Sequence, residues 1–130
     1  MQITIPGKPK GKDRPRFYKG HAVTSASTRA YERKVKSIYK KETSITFHGA
    51  VIVSIKAFYQ IPKNTPKAVK KMMLDGERLP CVRPDIDNLP KIILDALNGV
   101  AYDDDKQVVD MIITKRYAEE AHVDVEVQEV

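Results

Sequence analysis

The sequence predicts an α+β fold: one domain in which about three helices pack with a mainly antiparallel or mixed sheet of about four strands. Its 130 residues suit a single domain, and 42% of them are hydrophobic, which is enough for one core. Apolar residues alternate with polar ones in some segments, as in half-buried strands, and recur with helical spacing in others. No internal repeat or long linker interrupts the pattern, so we expect residues 1–130 to form one domain.

The first third of the chain predicts a strand, a loop and a helix. Residues Gln2–Pro6 alternate briefly and predict a short strand, whereas the glycines and prolines of Gly7–Arg16 are typical of a loop. From Ser27 to about Thr43, apolar residues recur with helical spacing between lysines and arginines, which predicts an amphipathic helix with a basic outer face. Its inward positions are Tyr31, Val35, Ile38 and Tyr39.

The middle of the chain predicts the clearest strand and a short helix. Residues Ala50–Ile61 alternate as a half-buried strand does. The predicted inner face of this strand consists of Val51, Val53, Ile55, Ala57 and Tyr59. A helix start with Pro66 in the first turn and a stop at Gly76 follow. The inward residues expected between them are Val69, Met72 and Met73, with the methionines in the core.

A third helix is predicted from Asp87 to Asn98. Asp87 is a favourable N-cap, Pro90 lies in the first turn, and Asn98 with Gly99 supplies a left-handed stop. An apolar stripe formed by Leu89, Ile92, Ile93, Ala96 and Leu97 anchors this helix in the core.

Two strands are predicted at the end of the chain. Residues 107–117 are rich in strand-forming residues, and residues 122–130 alternate almost without exception. The short segment 118–121 would join the two strands as an antiparallel hairpin.

Positive charge is concentrated at one end of the chain. The net charge is +6, but residues 1–41 hold 12 Lys and Arg against only Asp13 and Glu32. This imbalance indicates a polyanionic partner such as nucleic acid. The alternative is a solvated basic loop and helix face.

Several classes of site are disfavoured. A single cysteine, Cys81, excludes an internal disulfide, and the three histidines lack the spacing of zinc ligands. No apolar run approaches the ~18 residues that a membrane span requires, and the first residues lack the pattern of a signal peptide. We therefore expect a cytoplasmic protein with no membrane partner.

Aspartates flank the third predicted helix. Asp85 and Asp87 lie at its start, and residues 103–105 follow its end. A helix of about twelve residues is roughly 18 Å long, so the two groups meet only if the chain doubles back through residues 99–103. Oxygen ligands without cysteine or histidine favour Mg²⁺ or Mn²⁺. Alternatively, Asp87 only caps the helix, Asp85 only begins a turn, and the aspartate run is a solvated loop tip.

Lys91 lies one helical turn after Asp87 and on the same face. It can reach the carboxylates or a bound phosphate, or it can form an ordinary surface ion pair. Aspartates for a metal, a neighbouring lysine and a basic segment are the parts needed for metal-assisted phosphodiester hydrolysis.

The segment Arg83–Val109 resembles the signature of the RusA family of Holliday junction resolvases. Its Asp-Ile-Asp-Asn segment, helical lysine, Asp-Ala-Leu run and Asp-Asp-Lys-Gln-Val-Val turn match the family pattern in order. The resemblance implies a Mg²⁺-dependent endodeoxyribonuclease, with Mn²⁺ as a substitute, that resolves four-way DNA junctions by paired symmetric nicks. It implies a homodimer that acts in recombination and repair, and such enzymes are often borne by prophages.

The same resemblance implies roles for individual residues. The catalytic set is Asp85, Asp87, Lys91 and Asp105. The metal ligands are Asp85, Asp87 and Asp105, with Asp104 as a weaker candidate. We expect the DNA backbone to follow the basic residues Lys8, Lys10, Lys12, Arg14, Arg16 and Arg83.

Three alternatives remain open from the residues alone. Pro84-Asp85 followed by Asp104-Asp105-Lys106 also fits the short Pro-Asp…Asp/Glu-x-Lys pattern of another nuclease superfamily, in which Lys106 rather than Lys91 would act. A non-catalytic nucleic-acid-binding protein would use only the basic third. A nuclease for flaps, forks or RNA would show the same phosphate contacts, because these report charge and not branch geometry.

Overall fold

The computed structural model describes residues 1–14 and 16–130. Three helices pack with a mixed four-stranded sheet, and a small hairpin stands apart from that sheet, as the predicted α+β class requires. In chain order the elements are β1 (Gln2–Pro6), β2 (Arg16–Tyr18), β3 (His21–Val23), α1 (Ala26–Glu42), β4 (Val51–Gln60), α2 (Lys67–Leu74), α3 (Asn88–Leu97), a 3₁₀ turn (Asp105–Gln107), β5 (Val108–Ala118) and β6 (His122–Glu129). Pro15, which the loop prediction includes, lies outside the described residues.

The main sheet has the strand order β1-β6-β4-β5. β6 runs antiparallel to both β1 and β4, whereas β5 runs parallel to β4. The predicted hairpin between β5 and β6 is therefore wrong, because β4 lies between these two strands. β6 alternates buried and half-buried residues as an interior strand does, whereas the residues of β5 are all exposed or half-buried and this strand occupies the edge.

The core lies between this sheet and helices α1 and α3. The predicted inner face of β4 is buried at every position, and so is the apolar stripe of α3. From α1, Val35 and Tyr39 are buried, while Tyr31 and Ile38 are partly buried against the core. Periodicity therefore identified these inward faces correctly.

Helix α2 is less buried than its pattern predicts. Met73 lies in the interior, but Met72 is 38% exposed, so the expectation that both methionines are core residues is wrong for Met72. α2 is short and packs against the edge strand β5, which covers less of the helix than an interior strand would.

The hairpin β2–β3 was not predicted. Arg16, Phe17 and Tyr18 pair with Val23, Ala22 and His21, respectively. Lys19 and Gly20 form the turn, and both have positive φ, 50° and 78°. This left-handed pair matches the two-residue turns that suit the twist of a hairpin. The two strands have only three residues each, too few for alternation to identify them.

The loop between β1 and β2 is fastened to two helices through Lys12. The Lys12 backbone N–H donates to the Asn88 carbonyl at the start of α3 (3.1 Å). The Lys12 ammonium lies 3.0 Å from the Glu32 carboxylate of α1 and 3.1 Å from the Asp95 carboxylate of α3. Partial burial lowers the pKa of Lys12, but the hydrogen bonds to Glu32 and Asp95 outweigh it, so the pKa is raised overall. Lys12 thus stays charged and joins three segments.

None of the helices in the described part of the chain is both long enough and apolar enough to cross a bilayer.

We expect Lys12→Met to destabilise the protein by about 1–3 kcal/mol, because Glu32 and Asp95 would lose their shared partner. Urea unfolding measures the loss. Lys8→Met is the matched control, since Lys8 is exposed and forms no ion pair within the described residues, and it should change stability by less than about 0.5 kcal/mol. A double-mutant cycle with Asp95→Asn should show coupling. Additive effects would contradict the proposed ion pair.

Candidate active site

A groove of about 540 Å³ lies between the basic loop and the chain leading into α3. It is lined by Lys8, Pro9, Lys10, Gly11, Lys12, Asp13, Tyr31, Arg83, Pro84, Asp85 and Asn88. The groove therefore brings four of the six predicted DNA-contacting residues together with the predicted catalytic residue Asp85. Arg14 and Arg16 are exposed farther along the chain and do not line it.

Close backbone packing forms the floor of this groove. A Cβ atom on Gly11 would lie 2.9 Å from the Pro84 Cβ and 3.1 Å from the Asn88 Cβ. The first of these contacts is too short for a Cβ atom and the second is tighter than most, so a residue larger than glycine would push the loop away from α3. The loop lies directly against the segment that carries Asp85.

Asp13 secures the other end of the loop. Its carboxylate accepts hydrogen bonds from Ser25 (2.8 Å), Thr28 (3.2 Å) and Lys10 (3.2 Å). These bonds, with that from Ser25 first, hold the pKa of Asp13 below its ordinary value. Ser25 in turn caps α1 by accepting from the Thr28 N–H. The single acidic residue of the loop is thus used to anchor it.

The predicted DNA-contacting residues differ in how free their charges are. Lys8, Arg14, Arg16 and Arg83 are exposed, and they form no ion pair in the part of the chain that the structure describes. Lys10 is paired with Asp13, and Lys12 is paired with two carboxylates. Lys12 therefore has a structural role that its place in a basic run did not indicate.

Asp87 occupies the N-cap position of α3 without capping it. Its backbone is helical (φ −77°, ψ −26°), and its carboxylate accepts no hydrogen bond from the helix. The first N–H groups of the helix, those of Asn88 and Leu89, instead donate to the Asp85 carbonyl. The N-cap prediction is wrong for this side chain, and with it the interpretation of Asp87 as only a cap. Asp85 and Asp87 are both exposed.

The second acidic group is held in place by Gln107. Its side-chain oxygen accepts from the N–H groups of Asp103 (2.8 Å) and Asp104 (2.9 Å). Its amide nitrogen donates to the carbonyls of Phe47 (3.0 Å) and Gly49 (2.8 Å). Gln107 therefore fixes the acidic turn against the segment that precedes β4.

The carboxylates of Asp104 and Asp105 in this turn lie close enough to affect each other's pKa. The two side chains can share a proton, with Asp105 as the donor and Asp104 as the acceptor, which raises the pKa of Asp105 and lowers that of Asp104. Burial and the charges of Asp104 and Asp95 raise the pKa of Asp105 further. Asp103 points elsewhere, with its carboxylate 2.9 Å from the His48 ring nitrogen. Asp104 and Asp105 thus form an acidic pair, and a cation beside them would relieve their repulsion.

The chain doubles back after α3, but it does not bring Asp104 and Asp105 together with Asp85 and Asp87 in one cluster of carboxylates. The Tyr102 hydroxyl donates to the Leu94 carbonyl (2.7 Å), and Asp105 shares a small surface cavity with Leu94. Asp105 therefore lies beside the second half of α3, whereas Asp85 and Asp87 precede its first turn. Among the described residues, no three Asp, Glu, His or Cys side chains lie together as a metal-binding group.

The donor chemistry of these two pairs nevertheless fits Mg²⁺. All four side chains are carboxylates, and within residues 1–14 and 16–130 none forms an ion pair with Lys, Arg or His. Mg²⁺ commonly takes one or two protein carboxylates and completes its shell with water and substrate phosphate, so a cage of three is not required. The pairs that satisfy this chemistry are Asp85 with Asp87 and Asp104 with Asp105.

Both candidate lysines are exposed. Lys91 lies on α3, four residues after Asp87 and four before Asp95, and Lys106 lies within the 3₁₀ turn. Neither forms an ion pair with a described residue. Each ammonium group is therefore accessible to a phosphate of the DNA.

Three residues of the site were missed. Tyr31 and Asn88 line the groove, and burial raises the pKa of Tyr31 to about 12, so that its hydroxyl stays protonated at neutral pH. Asp95 holds Lys12 and raises the pKa of Asp105. One signal was available for Asp95, which follows Asp87 and Lys91 at four-residue intervals on one helix face.

Comparisons with known proteins identify a family and a relative. A family model described as "Endodeoxyribonuclease RusA" matches residues 6–128, which include both the groove and the acidic turn. Over 139 aligned positions the chain is 34% identical to the "Uncharacterized protein YqaN" of Bacillus subtilis (strain 168), and the alignment covers all of this chain and 96% of YqaN.

We expect Gly11→Ala to displace the loop from α3 and destabilise the protein by about 1–3 kcal/mol, because the added methyl group overlaps Pro84 and Asn88. Gly49→Ala is the control, since its Cβ would find its nearest neighbour, Glu129 Oε1, at an ordinary 3.5 Å. Urea unfolding of the two variants provides the comparison. Equal stability would show that the loop does not depend on this contact.

Proposed function

We propose, starting from the fact that this chain belongs to the RusA endodeoxyribonuclease family, that it cleaves four-way DNA junctions with Mg²⁺ as cofactor. Mn²⁺ is the expected substitute. Residues 1–130 would form a single RusA-like nuclease domain, acting in the cytoplasm in recombination and repair. The cleaved bond is the phosphodiester, and the products are paired symmetric nicks.

The groove is the observation that carries this proposal. It places the exposed charges of Lys8 and Arg83 and the paired charge of Lys10 beside the Asp85 carboxylate. A phosphate backbone drawn to the cations would therefore run past an acidic group. An unpaired carboxylate repels a phosphate backbone unless a cation lies between them, so a basic groove that also contains Asp85 favours a metal-dependent nuclease over a protein that only binds DNA.

The residues of the chain have distinct tasks in this proposal. Asp85 and Asp87 would hold Mg²⁺ at the start of α3, and Asp105, supported by Asp104, would supply the further carboxylate from the acidic turn once metal and DNA draw the two pairs together. When bound, Mg²⁺ supplies charge stabilisation at the scissile phosphate and activates water. Lys91 would offset the charge that develops on the phosphate. Without a metal, the neighbouring Asp104 and burial raise the pKa of Asp105, and a bound cation would oppose this shift.

A homodimer would explain symmetric cleavage. A four-way junction has approximate two-fold symmetry, so two copies related by a two-fold axis would present two grooves to opposite strands. Arg14 and Arg16, which lie beyond the groove, would contact the arms of the junction.

The first test is cleavage of a synthetic mobile four-way junction and a matched linear duplex in Mg²⁺, with Mn²⁺ in parallel. We expect paired symmetric nicks in the junction alone, and Asp87→Asn should lower the rate by at least about 100-fold while leaving the fold intact. EDTA should abolish cleavage. Binding without nicks in either metal would favour the non-catalytic alternative. Nicks in flaps or forks at the same rate as in junctions would show that the enzyme is not selective for four-way junctions.

The catalytic lysine is tested separately. We expect Lys91→Ala to lower the nicking rate by about 100-fold or more, because the charge that it offsets develops in the transition state. Lys106→Ala is the matched control, being equally exposed and adjacent to Asp105. If Lys106→Ala lowered the nicking rate more than Lys91→Ala did, Lys106 would be the catalytic lysine, as the Pro-Asp…Asp/Glu-x-Lys pattern requires. Junction affinity, measured without metal, should be nearly the same in both variants.

A further inference from the structure

The hairpin β2–β3 exposes two aromatic rings. Phe17 is 81% exposed and Tyr18 is 66% exposed. All six strand residues of the hairpin are exposed, and it pairs with no strand of the main sheet. A two-stranded hairpin without a covered face is marginal by itself, so a bound partner would add to its stability.

The register puts the two rings on opposite faces. Phe17 pairs with Ala22, whose small side chain covers little of the ring on that face. Tyr18 pairs with His21 on the other face, and the Lys19 ammonium lies 5.5 Å from the centre of the Tyr18 ring. The hairpin is thus narrow, with an aromatic ring on each side and a cation at its turn.

The charge around the hairpin points to a nucleic acid rather than to a second copy of the chain. Residues 7–23 contain six Lys and Arg and one acidic residue, Asp13, which is already bonded to Lys10, Ser25 and Thr28. Two such segments facing each other would repel. A phosphate backbone would instead be attracted to both hairpin and groove.

The hairpin also lies close to the groove along the chain. Arg16, the first residue of β2, follows the groove residue Asp13 by three positions, which span at most about 11 Å. DNA held in the groove therefore brings its bases within reach of the hairpin. Exposed aromatic rings among cations are the means by which proteins bind unpaired bases, since every base offers a face for stacking.

We propose that Phe17 and Tyr18 stack on the bases at the branch point of the DNA held in the groove, where the exchange of strands leaves the innermost bases without a stacking neighbour on one side. The inference rests on the proposed function and adds what the groove alone lacks, a feature that distinguishes branched DNA from duplex. Bases within a continuous duplex are already stacked on their neighbours and cannot accept a ring without unstacking. The hairpin is thus the specificity-determining element, whereas the cations supply general affinity.

The test measures binding without metal, so that cleavage is not needed. In EDTA, we expect the double variant Phe17→Ala, Tyr18→Ala to bind a four-way junction about 5- to 150-fold more weakly than the wild type. Affinity for a linear duplex should change by less than about twofold. Phe17→Trp with Tyr18→Phe should restore junction affinity, because both replacements keep a ring. Ile45→Ala, at an exposed apolar residue elsewhere, is the control and should leave both affinities unchanged.

A second readout locates the contact. With 5-iododeoxyuridine at the branch point, ultraviolet irradiation should cross-link the DNA to Phe17 or Tyr18, as identified by mass spectrometry of the peptide. Cross-links elsewhere, or equal loss of junction and duplex binding in the double variant, would overturn the inference. So would a double variant that keeps its junction preference but changes mass in light scattering, which would assign the hairpin to a contact between copies. A wild type that cross-links through the hairpin yet never nicks would refute the proposed nuclease alone.

Discussion

The attachment of the basic loop to the start of α3 is the constraint on which the site depends. Loops rich in glycine, proline and lysine are ordinarily free in solution, but this one is held by a backbone hydrogen bond, a tight glycine contact and an ion pair to two helices. The ordering cost of the loop is offset by contacts that Lys12 and Gly11 make within the protein. Lys12 is used in this way, whereas Lys8 and Arg14 on the same loop are exposed and have no ion pair among the described residues.

The aspartates of the loop, α3 and the acidic turn are of two kinds, those bonded within the protein and those without a cationic partner. Asp13 and Asp95 are satisfied by bonds within the protein, whereas Asp85, Asp87, Asp104 and Asp105 have no cationic partner among the described residues. Carboxylates of the first kind stabilise the fold, and those of the second kind cost stability through repulsion. The proposed metal binding would use the carboxylates of the second kind and relieve their repulsion. Proximity in sequence did not distinguish the two kinds.

The sequence predicted the interior better than the connections. The alternation in β4 and the apolar stripe of α3 identified the buried faces correctly. This worked because the repeat of apolar residues along a single element shows which of its faces avoids water. Strand partners do not follow from periodicity, so the β5–β6 hairpin was wrong once β4 proved to separate them. The β2–β3 hairpin escaped notice because six exposed residues carry no burial pattern. For the site, the family signature identified Asp85, Asp87 and Asp105 as candidates, but only the three-dimensional packing revealed Asp95, Tyr31 and the structural use of Lys12.

The pairing of β1 with β6 affects when the site can form. Thr4 and Asp124 face each other in this ladder and are 120 residues apart in the chain. The basic loop follows β1 directly, so its near end gains a fixed position only when β6 has left the ribosome and entered the sheet. Such long-range closure is slow compared with local helix formation. A partly synthesised chain therefore lacks the assembled groove, so the proposed site forms only after β6 has joined the sheet.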